Sequence, residues 1–299
     1  MTISTRTLFI YNIFLLFSVI LITGCEPKND DELVPSYLHI DKIDVTSNYQ
    51  QGTSSSKITD AWVYLDGTLI GSFELPATIP ILTEGKQNIT IYGGIKLNGI
   101  SNTRNAYPFY SPLIREINFV KDSVINLGTL NVGYHSNAIF PWMEDFNNPG
   151  ISLDTTSKST VGIGQTYNPD WIFPETDNPY SGIVQLTADS AIFEAATAEK
   201  FEFPSNGGSI FLEMNYNINH PLVVGVIYKA SGLRVQRPLI VLNESDEWNK
   251  VYINLSVIKY DTPAATDFQI FFGAQKEDGT GDALFLLDNL KLVPFNTSK

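Results

Sequence analysis

One segment of this 299-residue chain has the side chains needed to grip a sugar: Gln165-Thr166-Tyr167-Asn168-Pro169-Asp170-Trp171-Ile172-Phe173-Pro174-Glu175-Thr176-Asp177-Asn178-Pro179-Tyr180. Aromatic rings stack on the apolar faces of pyranoses, while amides and carboxylates address the hydroxyls. Tyr167, Trp171, Phe173 and Tyr180 are therefore the candidate glycan-contacting residues. Three prolines keep the segment out of a central strand, so a long loop is expected, and loops of this kind carry binding residues on a rigid scaffold. The alternative is that Trp171 and Phe173 plug one end of a core.

Paired carboxylates about 5–10 Å apart would permit glycoside hydrolysis, and Asp170, Glu175, Asp177 and Glu213 are the acids available for it. Glu213-Met214-Asn215, however, offers one acid where laminarinase-type active sites alternate several along a strand. No G-x-S-x-G elbow, H-E-x-x-H pair, P-loop or G-x-G-x-x-G turn is present. His39, His135 and His220 lie far apart and there is one cysteine, which disfavours zinc sites and leaves no intramolecular disulfide. A non-enzymatic binding protein is expected, with glycoside hydrolase as the weaker alternative.

The elements that must position these residues are strands. Ala61, Val63 and Leu65 alternate with Trp62 and Tyr64, and Asp66-Gly67 then supplies a hairpin turn before Thr68-Leu69-Ile70. A second pairing is expected between Ile79-Pro80-Ile81-Leu82 and Asn88-Ile89-Thr90-Ile91-Tyr92 across Glu84-Gly85-Lys86, with Pro80 marking an edge strand. Further along, Ile210, Leu212, Met214, Tyr216 and Ile218 share one face, and Phe211, Glu213, Asn215 and Asn217 the other. Val251 to Val257 and Phe268 to Phe272 alternate in the same way. Asn206-Gly207-Gly208 and Glu277-Asp278-Gly279 read as turns. The fold class is all-β: an immunoglobulin-like β-sandwich over 36–135, then a jelly-roll β-sandwich over 136–295.

Charge bounds the partners. Lys and Arg total 19 against 32 Asp and Glu, a formal net charge of −13 that repels phosphate backbones and argues against nucleic acid. The acidity is uneven, with seven basic and eight acidic residues over 36–135 but ten basic and twenty acidic over 136–299. An uncharged ligand suits the second half better than an anionic one.

The first 24 residues carry Arg6 as their only charge, followed by an apolar run from Leu8 to Ile22. This run is shorter than the ~20 residues of a membrane-spanning helix and reads as a signal peptide over 1–24. Leu21-Ile22-Thr23-Gly24-Cys25 resembles the bacterial lipobox, which implies acylation of Cys25 and a stable triacyl membrane anchor. Residues 25–35 are polar and acidic and read as a flexible tether. Lys28 followed by Asp30-Asp31-Glu32 is similar to the export signal of Bacteroidota surface lipoproteins, although Asn29 interrupts it. That resemblance implies the outer face of the outer membrane; the alternative is a plain spacer.

Two further resemblances concern the body. Trp62 to Tyr92, with its Asp-Gly and Glu-Gly-Lys turns, resembles PEGA-like and other short immunoglobulin-like modules of bacterial surface proteins, in which such turns are structural. Phe140-Pro141-Trp142-Met143-Glu144-Asp145-Phe146, Trp248 to Leu255, and Leu284 to Leu292 resemble strands of carbohydrate-binding-module jelly rolls, where the opening strand lies beside the terminal one. No cofactor is required by this resemblance, but many such domains hold a structural calcium ion near the joined termini. It implies Asp145 and Asp288 as ligands, with Glu144 a weaker third because strand alternation points it away from Asp145. The alternative is that these acids bond turns at strand ends. The whole architecture is similar to glycan-binding lipoproteins of SusC/SusD-type uptake systems, and the expected partners are the membrane, a neutral polysaccharide or, as the rival reading, another cell-envelope protein.

Overall fold

The computed structural model describes residues 34–174, 179–204 and 207–296. Cys25, the segment 1–24, most of the tether, Glu175, Asp177 and Asn206 lie outside the described residues. The first half contributes strands β1 (Ser36–Ile40), β2 (Lys42–Thr46), β3 (Asp60–Leu65), β4 (Thr68–Glu74) and β5 (Ala77–Ile81). It continues with β6 (Gly85–Lys96), β7 (Arg104–Ala106), β8 (Leu113–Phe119), β9 (Val124–Asn126) and β10 (Thr129–Gly133). The second half begins with β11 (Trp142–Glu144), β12 (Leu153–Thr155), β13 (Gly164–Thr166), β14 (Ser181–Leu186), β15 (Ile192–Thr197) and β16 (Ile210–Ile218). It ends with β17 (Leu222–Ala230), β18 (Leu233–Leu242), β19 (Ser245–Asn254), a short helix α1 (Ser256–Asp261), β20 (Thr266–Gln275) and β21 (Ala283–Pro294). The chain is thus all-β, as its period-two patterning requires.

In the first half the sheets run β5-β1-β9, β2-β10 and β4-β3-β6-β7, with β8 also on β6. The β3–β4 hairpin forms where the sequence places it. Asp66 and Gly67 both adopt positive φ, at 46° and 81°, the left-handed pair that a two-residue hairpin turn needs. The second expected pairing does not form. β5 pairs with β1, Ile79 facing Leu38, whereas β6 pairs with β3, Ile91 facing Val63. All four residues are buried in one core, so the two apolar runs belong to opposite layers instead of one hairpin. Pro80 does lie on an edge strand, since β5 has β1 on one side and nothing on the other among the described residues.

The second half is a two-layer sandwich. One sheet is β13-β14-β21-β16-β19 with β11 also on β21; the other is β12-β15-β20-β17-β18. The opening strand lies antiparallel to the terminal one, Trp142 facing Leu292 and Glu144 facing Leu290. Ile210, Leu212, Met214, Tyr216 and Ile218 enter the core between the sheets together with Val251, Ile253, Phe268, Ile270 and Phe272. The alternation stops early at one place: β19 ends at Asn254, and Val257 lies on α1 with 41% of its surface exposed. The Asn254 Oδ1 accepts the Ser256 N–H at 2.9 Å and turns the chain into the helix.

The opposite face of β16, β19 and β21 packs against the first half. Phe211, Tyr252 and Val293 join the first half's core, with Tyr107 and Tyr252 ring centroids 4.8 Å apart. Within this junction Glu213 is fully buried. Its carboxylate accepts the Tyr107 hydroxyl at 2.8 Å and the Tyr134 hydroxyl at 3.0 Å, and Lys250 Nζ lies 3.1 Å away. Burial and the facing carboxylate hold both phenols well above the usual tyrosine range, so they remain donors. Two halves that share core residues and buried tyrosine–carboxylate hydrogen bonds are one packed body.

Candidate functional site

Two concavities on the second half are lined by side chains that can address a ligand. The larger, about 610 Å3, runs over the outer face of the β12-β15-β20-β17-β18 sheet. Strand alternation builds it: Phe193 and Ala195 enter the core, so Glu194 and Ala196 must face outward beside Ile227 and Gln269. Gly225 lets Phe271 lie flat on this face, because a Cβ there would collide with the Phe271 ring and the Arg237 carbonyl oxygen. Ala196 and Ile227 then form a small apolar floor, packed on the buried Phe271 ring.

A polar row crosses that floor. Glu194 Oε1 accepts the Thr156 hydroxyl at 2.7 Å, and Glu194 Oε2 accepts Gln236 Nε2 at 2.7 Å. Lys158 Nζ bridges the two acceptors, 2.6 Å from Gln236 Oε1 and 3.4 Å from Glu194 Oε2. Burial raises the Glu194 pKa, but the donors from Gln236, Thr156 and Lys158 together outweigh it and the carboxylate ends below its ordinary value. It is an ionised, fixed acceptor at neutral pH. Lys200 and Arg234 also line the groove and form no ion pair among the described residues.

The smaller concavity, about 540 Å3, lies at the junction of the halves, between Ser55, Ser56 and Lys57 on one side and Asn215, Asn217, Trp248 and Asn249 on the other. Phe173 and Pro174 close one end. The Phe173 and Trp248 rings meet edge to face, 5.3 Å apart at 85°.

The loop expected to bind glycan is thereby divided. Asn168 organises its first turn, accepting the Trp171 and Ile172 N–H groups on its carbonyl at 2.9 and 3.1 Å. Tyr167 is 77% exposed, Trp171 and Tyr180 are half-buried, and none of the three lines either concavity. Phe173 alone reaches the junction cleft; it is buried, and its N–H donates to Ser181 Oγ at 2.9 Å. Among the acids considered for hydrolysis, Asp170 is exposed on the loop and Glu213 is sealed in the junction, where no substrate reaches it. Glu213 is a structural carboxylate. Trp248 is the cleft residue that sequence reasoning placed only as a strand opener, and its signal was a tryptophan next to the acidic pair Asp246-Glu247.

The carboxylates near the joined termini are occupied by the protein itself. Glu144 Oε1 accepts the Phe146 N–H at 2.8 Å, and its Oε2 accepts both the N–H and the hydroxyl of Ser152 at 2.6 Å. Asp288 accepts the Ser181 hydroxyl at 2.5 Å and the Asn289 N–H at 2.6 Å, and Asp145 accepts the Asn147 N–H at 3.1 Å. Burial pushes Asp288 up to about 7, a shift that hydrogen bonds from Ser181 and Asn289 oppose and the charges of Asp145 and Glu144 reinforce. Among the described residues no group of three His, Cys, Asp or Glu side chains is placed to hold a metal ion. Glu144, Asp145 and Asp288 do not fit a calcium site in this arrangement.

No protein-family model matches the chain, and no curated protein matches it. Among solved structures it is similar to the family 30 carbohydrate-binding module of a cellulosomal cellulase of Clostridium thermocellum, at 12% identity and a TM-score of 0.35, covering 50% of this chain and 89% of that one. It is similar to the family 11 module of Clostridium thermocellum in complex with a β-1,3-1,4-mixed-linked tetrasaccharide, at 13% identity and a TM-score of 0.32, covering 50% and 93%. A family 61 module in complex with β-1,4-galactotriose matches at 12% identity and a TM-score of 0.30, covering 47% and 85%.

Proposed function

We propose that this chain is a non-catalytic surface lipoprotein, anchored through Cys25 to the outer membrane, that holds a neutral saccharide chain in the groove of its five-stranded sheet. The polar row of Glu194, Gln236 and Lys158 over an apolar floor is the observation that carries this reading. Sugars present hydroxyls that both donate and accept, together with apolar ring faces, and this row offers fixed donors and acceptors beside Ala196 and Ile227. Three bases, Lys158, Lys200 and Arg234, stand against two acids, Asp154 and Glu194. The groove is therefore nearly balanced in charge although its half of the chain is strongly acidic, and an uncharged polymer suits it. Affinity electrophoresis of the purified protein through gels containing mixed-linked β-glucan, galactomannan, arabinoxylan or pullulan tests the proposal. Retardation by at least one is expected, and retardation by none opposes it.

A protein-docking role is the second reading. Leu69 and Ile70 on β4 and Ile114 on β8 are exposed apolar residues of the first half, and exposed apolar surface of this kind suits a cell-envelope partner. No helix among the described residues is long and apolar enough to cross a membrane.

A further inference from the structure

We propose that the cleft between the two halves is a second saccharide site, in which an uncharged pyranose ring stacks on Trp248 and its hydroxyls are held by Asn217 and Lys57. The proposal does not rest on the sheet groove, which lies on the other sheet. The cleft's volume of about 540 Å3 falls within the ~300–1,000 Å3 of small-molecule sites.

Three observations converge on it. Trp248 is half-buried, its plane fixed by the perpendicular Phe173 ring, and its indole N–H has no partner among the described residues. That N–H is not among the buried unpartnered atoms and is open to the cleft, where a ligand hydroxyl can accept it. The Asn217 side chain, on the outward face of β16, likewise makes no hydrogen bond among the described residues.

The third observation is the construction of the walls. Ser55 Oγ donates to Asn215 Oδ1 at 2.9 Å and Lys57 Nζ to Asn249 Oδ1 at 2.6 Å, each bond joining one half to the other. The site is incomplete unless both halves are present.

The chemistry selects an uncharged ring over an ion. Asp246 and Glu247 oppose Lys57 and Lys250 across the opening, so no single sign dominates. An aromatic face, amides and paired charges match a ligand with one apolar face and a rim of hydroxyls.

The test uses the whole protein labelled with 5-fluorotryptophan, which gives a resonance for each of the four tryptophans; W248Y identifies the one from Trp248. Mixed-linked β-glucan, galactomannan, arabinoxylan and pullulan are titrated in turn. At least one is expected to move the Trp248 resonance. For that polysaccharide W248A and K57A should each weaken the cleft's binding by about tenfold, and W248Y should restore most of it. A Trp248 resonance unmoved by all four, or affinity unchanged in both W248A and K57A, overturns the proposal. The R234A/Q236A variant keeps the two sites apart: it should leave the Trp248 response intact, and loss of binding in that variant alone would sink the cleft while sparing the groove.

Discussion

The Tyr134 hydroxyl, from the first half of the chain, sits 3.0 Å from both carboxylate oxygens of Glu213, from the second. With Tyr107 and Lys250 on the same carboxylate, the halves are joined by a buried polar knot inside an apolar junction. A second half held this way cannot swing freely on the first. Removing one partner of a buried ion pair typically costs about 3–5 kcal/mol because the other charge is left unpaired. E213A is therefore expected to lower stability by that amount in urea denaturation. Wild type should unfold in one cooperative transition, and two separate transitions, unaffected by E213A, would refute the coupling.

Two buried groups make stability depend on pH in opposite directions. Asp288 is pushed up to about 7 by burial, so the folded state holds its proton more tightly than the unfolded state, whose value is near 4. Stability from this group is complete below about pH 4 and declines as pH rises through 7. Lys291 is pushed down to about 7 by burial and by Lys250, with Glu213 opposing. Its unfolded value is near 10.4, so the unfolded state binds more protons between 7 and 10 and stability recovers with rising pH. The melting temperature measured against pH should pass through a minimum near 7. D288N should flatten the acid limb and K291M the alkaline limb, each removing up to about 4 kcal/mol of pH dependence.

Gly225 is fixed by sterics alone. Because a Cβ would strike the Arg237 carbonyl and the Phe271 ring, G225A is expected to destabilise by about 1–3 kcal/mol and to displace the Phe271 ring that supports Ala196 and Ile227. Thermal unfolding measures the first effect. An alanine variant as stable as wild type would show that β17 and β18 shift easily, contrary to the packing described.

Calcium should have no structural role at the joined termini. With Glu144 and Asp288 already bonded to Ser152, Phe146, Ser181 and Asn289, millimolar calcium or a chelator is expected to leave the melting temperature unchanged. E144Q, which weakens acceptance from Ser152, should lower it in either condition. A calcium-dependent rise would mean that the acids rearrange around a metal.

Local patterning made much of the fold readable. The Asp66-Gly67 hairpin and the alternating faces of β16, β19 and β20 appear as the patterning implies, while the pairing of Trp142 to Glu144 with the terminal strand is what the resemblance to carbohydrate-binding-module jelly rolls implies. Alternation tells which residues share a face but not what covers that face. Glu213 shares its face with Phe211 and Asn215, which looks like solvent-facing polarity until Tyr107 and Tyr134 arrive from about 100 residues away in the chain. β5 and β6 failed in the same manner, since two apolar runs joined by a turn can lie in one sheet or in opposite layers. Neither concavity is a local object. The groove collects Lys158, Glu194, Gln236 and Gln269 from distant segments, and the junction cleft joins Lys57 to Trp248, whereas the glycan loop was found by composition, and of its four candidate aromatic residues Phe173 reaches a cleft.

Isothermal titration of the polysaccharide that retards the protein most, into wild type and R234A/Q236A, probes the groove directly. The variant removes a cation without an ion pair among the described residues and the amide that bonds both Lys158 and Glu194. Loss of such charge-assisted contacts should weaken binding by about tenfold or more with the melting temperature little changed. Equal affinity in the two proteins would contradict the account.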